Sequence, residues 1–145
     1  LPTITLEIHK PNRPDAVQLI TELDTYLNSL YPPESNYLLD VETLMQPSIQ
    51  FVLAFVDGEA VGCGAVWLKD DYAEVKRMYV KPTCRGMGIG IKLLNKIEAL
   101  AWEAGITTMR LETGDSQPEA LKLYERSGYA PCEKFGDYVH NAQNL

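Results

Sequence analysis

Ile4, Leu6 and Ile8 alternate with Thr5 and Glu7, the period-two pattern of a strand running from Thr3 to His9. Pro11 and Pro14 punctuate the chain, and from Asp15 the spacing lengthens. Val17, Leu19, Ile20, Leu23 and Leu27 then fall at helical intervals. Tyr31-Pro32-Pro33-Glu34-Ser35-Asn36-Tyr37 breaks that helix, and a short second helix is expected from about Leu38 to Met45. Phe51 to Val56 and Ala60 to Leu68 are continuous apolar runs. Asp57-Gly58 between them reads as a two-residue hairpin turn, because glycine tolerates the positive φ such a turn requires. Lys69-Asp70-Asp71 leads into a further strand, Tyr72 to Val80, which completes an antiparallel meander.

The character changes after Pro82. A glycine-rich turn precedes a helix on which Ile89, Leu93, Ile97, Leu100 and Ala104 share a face, and Gly105 stops it. Thr107 to Thr113 alternates as a strand. Strand, helix and strand in succession imply a parallel pair, since only a crossover connection joins such strands. Ser116-Gln117-Pro118-Glu119 has the composition of a helix start, with Ser116 as cap and Glu119 three residues on. That helix ends near Ser127-Gly128, and short strands are expected around Tyr129 and from Phe135 to His140. The expected fold is α/β (α+β): a mixed, mostly antiparallel sheet flanked by helices, in a single domain spanning residues 1–145.

Composition narrows the class. Apolar residues at 46% and charged residues at 23% are globular values, and no apolar run approaches the roughly 18 residues of a membrane span. A net charge of −7 opposes binding to nucleic acid or anionic lipid, and is compatible with a cationic acceptor such as an amine. Cys63, Cys84 and Cys132 are odd in number and lack metal-ligand spacing, so no metal site is expected; reduced thiols suit a cytoplasmic protein. The opening Leu1-Pro2-Thr3-Ile4 has no basic segment leading into an apolar stretch, so no secretory signal is expected.

Chemistry concentrates in Val80-Lys81-Pro82-Thr83-Cys84-Arg85-Gly86-Met87-Gly88-Ile89-Gly90, between a strand and a helix. A helix N-terminus offers unpaired N–H groups and partial positive charge, and glycines let the backbone approach a phosphate closely. Arg85 adds charge. The dinucleotide pattern GxGxxG fails, because its last position would be Ile91 or Leu93; the nucleotide P-loop fails because Gly90 is followed by Ile91-Lys92. What fits is Arg-x-x-Gly-x-Gly, here Arg85, Gly88 and Gly90.

With the preceding Met78-Tyr79-Val80-Lys81-Pro82, this stretch resembles the acetyl-CoA-binding motif of the GNAT superfamily of N-acetyltransferases. Ala120-Leu121-Lys122-Leu123-Tyr124-Glu125-Arg126-Ser127-Gly128-Tyr129 resembles that family's late helix and following strand, and the order of elements agrees from Thr3 onward. The resemblance implies direct acetyl transfer from acetyl-CoA, as cosubstrate, to an amine of a small molecule or peptide. It places the pyrophosphate on Arg85, Gly86, Met87, Gly88, Ile89 and Gly90, mainly through main-chain groups, so that side-chain changes at Met87 or Ile89 matter less than bulk at Gly88 or Gly90. The thioester carbonyl would meet a backbone N–H from Met78, Tyr79 or Val80, between splayed fourth and fifth strands. The alternative on the same scaffold is a non-catalytic acyl-CoA sensor or regulatory interaction domain.

Tyr124 matches the tyrosine that protonates the departing thiolate in many relatives; as a plain core aromatic it would instead share a helix face with Ala120 and Leu121. Gln117 stands where relatives often carry an Asn that contacts the cofactor arm. Glu74 matches a general base found early in the fourth strand of some relatives. By strand parity it shares a face with Lys76 and Met78, while Val75, Arg77 and Tyr79 point the other way. A cross-strand ion pair is the competing role for Glu74, Glu112 is a weaker candidate base, and ordered water serves in other members. His9 and His140 read as surface residues. Cys84 has no activating His or acid beside it in sequence and is set aside as a nucleophile. The acceptor is expected near Tyr31 to Tyr37, and an exposed final strand could pair with a second copy of the chain.

Overall fold

The computed structural model describes residues 3–30, 41–111 and 118–130. Their strands form one five-stranded sheet in the order β1-β2-β3-β4-β5: β1 (Ile4–Ile8), β2 (Ile49–Val56), β3 (Glu59–Leu68), β4 (Ala73–Val80) and β5 (Met109–Leu111). The first four pair antiparallel in sequence order, and β5 joins β4 in parallel. β2 and β3 read as unbroken apolar runs because both of their faces are covered. Asp57 and Gly58 both have positive φ, 51° and 88°, the geometry that lets a two-residue turn follow the sheet's twist.

Helix α1 (Pro14–Leu30) packs on one face of the sheet, together with the short α2 (Val41–Leu44). Its buried stripe is Ala16, Leu19, Ile20, Leu23 and Leu27. Val17, expected in that stripe, faces solvent, because it stands about 200° around the helix from Leu19 and Ala16 takes its place. Helix α3 (Ile89–Glu103) covers the opposite face with Ile89, Leu93, Leu94, Ile97, Leu100 and Ala101 against Val52, Ala54, Val66 and Val75. Ala104, assigned to that face from its spacing, is exposed as the helix's last half-turn.

Helix α4 (Pro118–Arg126) follows β5. The expected caps at Ser116 and Glu119, the start of the second helix near Leu38, Gln117, Glu112, His140, Cys132 and the strand from Phe135 to His140 lie outside the described residues or side chains. Tyr129 is not in a strand. Gly128, at φ +90°, ends α4 by donating to the Glu125 carbonyl, and Tyr129 N–H reaches back to the Tyr124 carbonyl at 2.9 Å. That pair of bonds closes the helix in a Schellman motif, and it pins Tyr129 under Tyr124.

The feature that matters most for the site is an irregularity in β4. Ala65 pairs with Lys76 and Cys63 with Tyr79, so Arg77 and Met78 together stand opposite Gly64. Arg77 sits at the bulge with φ +55°, a left-handed conformation that side chains other than Gly, Asn and Asp rarely adopt. The extra residue resets the parity of the strand. Glu74 and Lys76 pair with Trp67 and Ala65 of the α1 face, and Arg77 and Tyr79 also reach α1. Met78 and Val80 pack with Val75 on the α3 side. The expectation that Met78 shares a face with Glu74 is therefore overturned, because strict alternation fails at a bulge.

Candidate active site

The turn between β4 and α3 begins with a 3₁₀ turn, Pro82–Cys84, and ends at Gly88, the N-cap of α3 at φ +77°. No side chain caps α3 and its first turn holds no acidic residue. Among the described residues, the successive amides from Gly86 to Ile91 donate to no backbone carbonyl or side chain; the first helical bond is from Lys92 N–H to the Gly88 carbonyl. An uncapped 15-residue helix thus aims its positive end and a run of free donors out of the turn, which is an anion-binding arrangement.

Those amides open onto a cavity of about 450 Å³. Its floor is the end of β4, at Met78, Tyr79 and Val80. One wall is the turn from Cys84 to Ile91, and the other is α4 through Ala120, Leu123, Tyr124 and Arg126. Leu23 and Tyr26 of α1 close the far end. The cavity exists because β5 stays paired to β4 only as far as Val75–Leu111 among the described residues, leaving the outer edge of Lys76 to Val80 without a described neighbour. Gly90 lets α4 approach, since a Cβ there would lie 3.3 Å from Leu123 Cδ2.

Tyr124 lies on the cavity wall, its ring edge-on to Tyr129 at 5.8 Å between centroids. Tyr129 is held in turn by a 2.8 Å bond from its hydroxyl to Glu98. Burial pushes the Tyr124 phenol well above the usual tyrosine range, and among the described residues its hydroxyl has no hydrogen-bond partner. It is a neutral donor facing an open space. Tyr79 differs. Its hydroxyl donates to Glu22 Oε1 at 3.0 Å, and burial first, then this bond, push its pKa up to about 12.

Comparison with known proteins now decides the family. Residues 16–129 match the model described as the acetyltransferase (GNAT) family. The chain belongs to the GNAT family. It is similar to the IAA acetyltransferase of Azospirillum brasilense, 46% identical over 95% of this chain and 92% of that one. It is 35% identical to the uncharacterized N-acetyltransferase YsnE of Bacillus subtilis, over 88% and 89% of the two chains. A crystal structure of a provisionally named acyl-CoA N-acyltransferase from Klebsiella pneumoniae superposes with a TM-score of 0.83 at 31% identity, covering 98% of this chain and 93% of that one. The protein is therefore an N-acetyltransferase of the acyl-CoA N-acyltransferase fold, with an acyl-CoA as cosubstrate.

On this GNAT scaffold, most residues expected to hold the cosubstrate line the same cavity: Met78, Tyr79, Val80, Arg85, Gly86, Gly88, Ile89 and Gly90. Met87 does not; it is half-buried and packs on the core. Ile89 contributes at the cavity, yet its side chain is 1% exposed and belongs to the core under α3. Changes there will not be mild, as the sequence suggested, because truncating a buried Ile costs about 2–5 kcal/mol.

Glu74 is not brought together with Tyr124. It is 2% exposed, lies outside the cavity lining, and sits 2.8 Å from Lys76 Nζ and 3.7 Å from Lys69 Nζ. His9, a partly exposed surface residue, is bonded to Glu7 and Arg13 at 2.8 Å each, beside Phe55. Cys84 is half-buried on the cavity wall, while Cys63 is fully buried, and burial pushes its thiol up to about 12. Tyr26 and Glu22 were missed, and Leu23 was read only as part of the apolar stripe of α1. Their signal was available, since residues 22, 23 and 26 fall within one turn of α1 beside its buried stripe. Among the described residues, no helix is long and apolar enough to cross a membrane, and no cluster of His, Cys, Asp or Glu could hold a metal ion.

Proposed function

We propose that the protein transfers acetyl directly from acetyl-CoA to the amine of a small molecule or peptide. The observation that carries this reading is the run of free amides from Gly86 to Ile91 at an uncapped helix mouth, opening onto a cavity that leads to both Met78–Val80 and Tyr124. The donor set suits a diphosphate: main-chain N–H groups in series, the positive end of α3, and the exposed Arg85 guanidinium. The apolar stretch of the cavity, with Leu123, Ile91 and Met78, suits a flexible arm of mixed polarity. Acetyl-CoA supplies an activated thioester.

The roles of the chain's own groups follow from their positions. Arg85 and Gly86 to Gly90 would hold the diphosphate, with Met87 contributing its amide only; Gln117, outside the described residues, remains the proposed contact to the arm. The main chain of Met78, Tyr79 and Val80 would donate to the oxygen on which negative charge grows during attack. Tyr124, neutral far above neutral pH, would give its proton to the leaving sulfur. The amine must also lose a proton. Glu74 is committed to Lys76 and does not line the cavity, whereas Glu22 meets the cavity through the Tyr79 hydroxyl. We assign that proton to Glu22, passed by way of Tyr79, with Glu74 as the competing base. A cytoplasmic location suits Cys63 and Cys84, both free thiols.

The test is thermal unfolding with CoA, followed by thiol release from acetyl-CoA in the presence of a panel of amines. IAA, the compound in the Azospirillum relative's name, belongs in that panel. A ligand that binds only the native state raises the midpoint. Absence of any rise at millimolar CoA would defeat the assignment of the turn, and a rise without thiol release for any acceptor would favour a sensor.

A further inference from the structure

The strained residue of β4 is also tethered across to α1. Arg77 is buried and does not line the cavity. Its Nη2 donates across to α1, to the Ile20 carbonyl at 3.2 Å and to Asp24 Oδ1. Its own carbonyl accepts the Cys63 thiol at 3.3 Å. The guanidinium is nonetheless poorly served, since Nε and Nη1 are buried without a hydrogen-bond partner among the described residues. A residue selected for stability alone would not be an arginine here. Glycine adopts φ +55° without strain, and an apolar side chain would leave no orphaned donors. Backbone strain and unsatisfied donors together, one residue before the cavity floor, mark a position whose cost is tolerated for another reason.

We infer that Arg77 is a positioning residue for acyl transfer: by anchoring the bulge to α1 it fixes the direction of the Met78–Val80 main chain that faces the thioester. The inference rests on the proposed acetyl-CoA site and deepens it. Because Arg77 does not line the cavity, its only route to the chemistry is through the backbone it carries. Its geometry explains how the strand turns Met78 to the α3 side while keeping Tyr79 on the α1 side beside Glu22. Gly64, opposite the bulge, leaves room for the displaced Met78, since a Cβ there would lie 2.6 Å from its sulfur.

The experiment compares backbone amide shifts of the isotope-labelled full chain with CoA and with acetyl-CoA, which differ only in the thioester. In the wild-type protein both ligands shift the amides of Gly86 to Gly90 alike, and acetyl-CoA adds to those of Met78 to Val80 a further shift that CoA does not produce. Arg77→Ala keeps the first effect and loses most of the second. Its turnover falls by up to about 10²-fold, the range for losing a donor to a developing oxyanion, at unchanged KM for acetyl-CoA. Arg77→Gly loses most of the acetyl-CoA-specific shift as well, because glycine adopts the bulge's φ without strain but removes the anchor to α1. An undiminished difference in Arg77→Ala, or a Gly variant that keeps the wild-type acetyl-CoA-specific shift and so shows the tether to be dispensable, overturns the inference. Should Arg77→Ala fail to fold, Arg77→Met, which keeps volume but makes no hydrogen bonds, is read against Arg77→Gly in the same way. If neither ligand moves Gly86 to Gly90 in the wild type, the cofactor site itself is wrong, a result distinct from any of these.

Discussion

Replacing Tyr124 by Phe removes one oxygen and isolates one role. Among the described residues that oxygen makes no hydrogen bond, and the ring keeps its edge contact with Tyr129 and its backbone link to Tyr129 N–H. The change in stability should therefore stay within about 0.5 kcal/mol. CoA protection against unfolding should be unaltered, because the diphosphate donors lie on the turn and not on α4. The rate is another matter. A positioned acid contributes about 10²–10⁴-fold, and a thiolate with pKa near ~8.5 is already a fair leaving group, so the low end applies. A fall of about 10²-fold in kcat corresponds to about 2.7 kcal/mol of lost transition-state stabilisation. The phenol's upward shift adds a pH signature. Raised above the ordinary tyrosine value of about 10, the acid stays protonated, so wild-type kcat should show no decline assignable to Tyr124 up to that pH. The assays are thiol release from acetyl-CoA across pH and thermal unfolding with and without CoA. Full turnover by Tyr124→Phe at neutral pH would refute the acid role, leaving a tyrosine that only packs on Tyr129.

Gly88→Ala should weaken CoA binding by about tenfold and cost about 1–2 kcal/mol of stability, because φ +77° strains an L side chain although nothing crowds its Cβ; Met87→Ala should leave affinity unchanged, and calorimetry showing equal affinity for both would contradict the main-chain cradle. Glu22→Gln should lower kcat/KM more than Glu74→Gln, with its largest effect below neutral pH where less of the amine is free base; the reverse order would return the base role to Glu74. The Cys63 thiol, at about 12 when folded and near 9.0 otherwise, keeps a proton that the unfolded chain has already released. Its stabilisation is therefore complete below pH 9 and declines as pH rises toward 12, by about 1.4 kcal/mol per unit. Urea unfolding between pH 8 and 10.5 should show a flatter alkaline decline for Cys63→Ala, and identical slopes would mean the thiol does not titrate with unfolding.

Much of this was legible in the chain because local chemistry and tertiary packing agree there. Asp57-Gly58 prescribes its own turn, the apolar runs of β2 and β3 state that both faces are covered, and the three- and four-residue spacing of Ile89, Leu93, Ile97 and Leu100 can bury only as a helix. The turn proposed to hold the diphosphate was readable as a glycine-rich strand-to-helix junction, and among the described residues its amides from Gly86 to Ile91 donate to no partner. Val17, Ala104 and Ile89 were misjudged through neighbours beyond a periodic window. Ala16 takes the place of Val17 in the stripe, the helix ends under Ala104, and the core beneath the turn claims Ile89.

The bulge is a different kind of miss. Pattern reading of a strand assumes alternation, and nothing in Glu74-Val75-Lys76-Arg77-Met78-Tyr79 announces that the period slips; a glycine at the left-handed position would have done so, but the chain carries an arginine there. The consequence is more than geometric. With alternation intact, Glu74 and Met78 would share a face, and the acid–base chemistry would sit on the cavity floor beside the thioester. With the slip, the floor keeps Met78 and Val80, Glu74 retires into a lysine cluster, and among the described residues the carboxylate tied to the cavity arrives from another element, Glu22 of α1 through Tyr79. On the proposed function, cosubstrate grip is written locally, in a turn. On the same reading, acceptor deprotonation depends on how α1 meets β4, which no stretch of contiguous residues encodes. The proposed division predicts where members of this family can diverge: Gly88, at φ +77°, tolerates little, whereas exchanging Glu22 on α1 should alter deprotonation of the acceptor without disturbing the amides of Gly86 to Ile91.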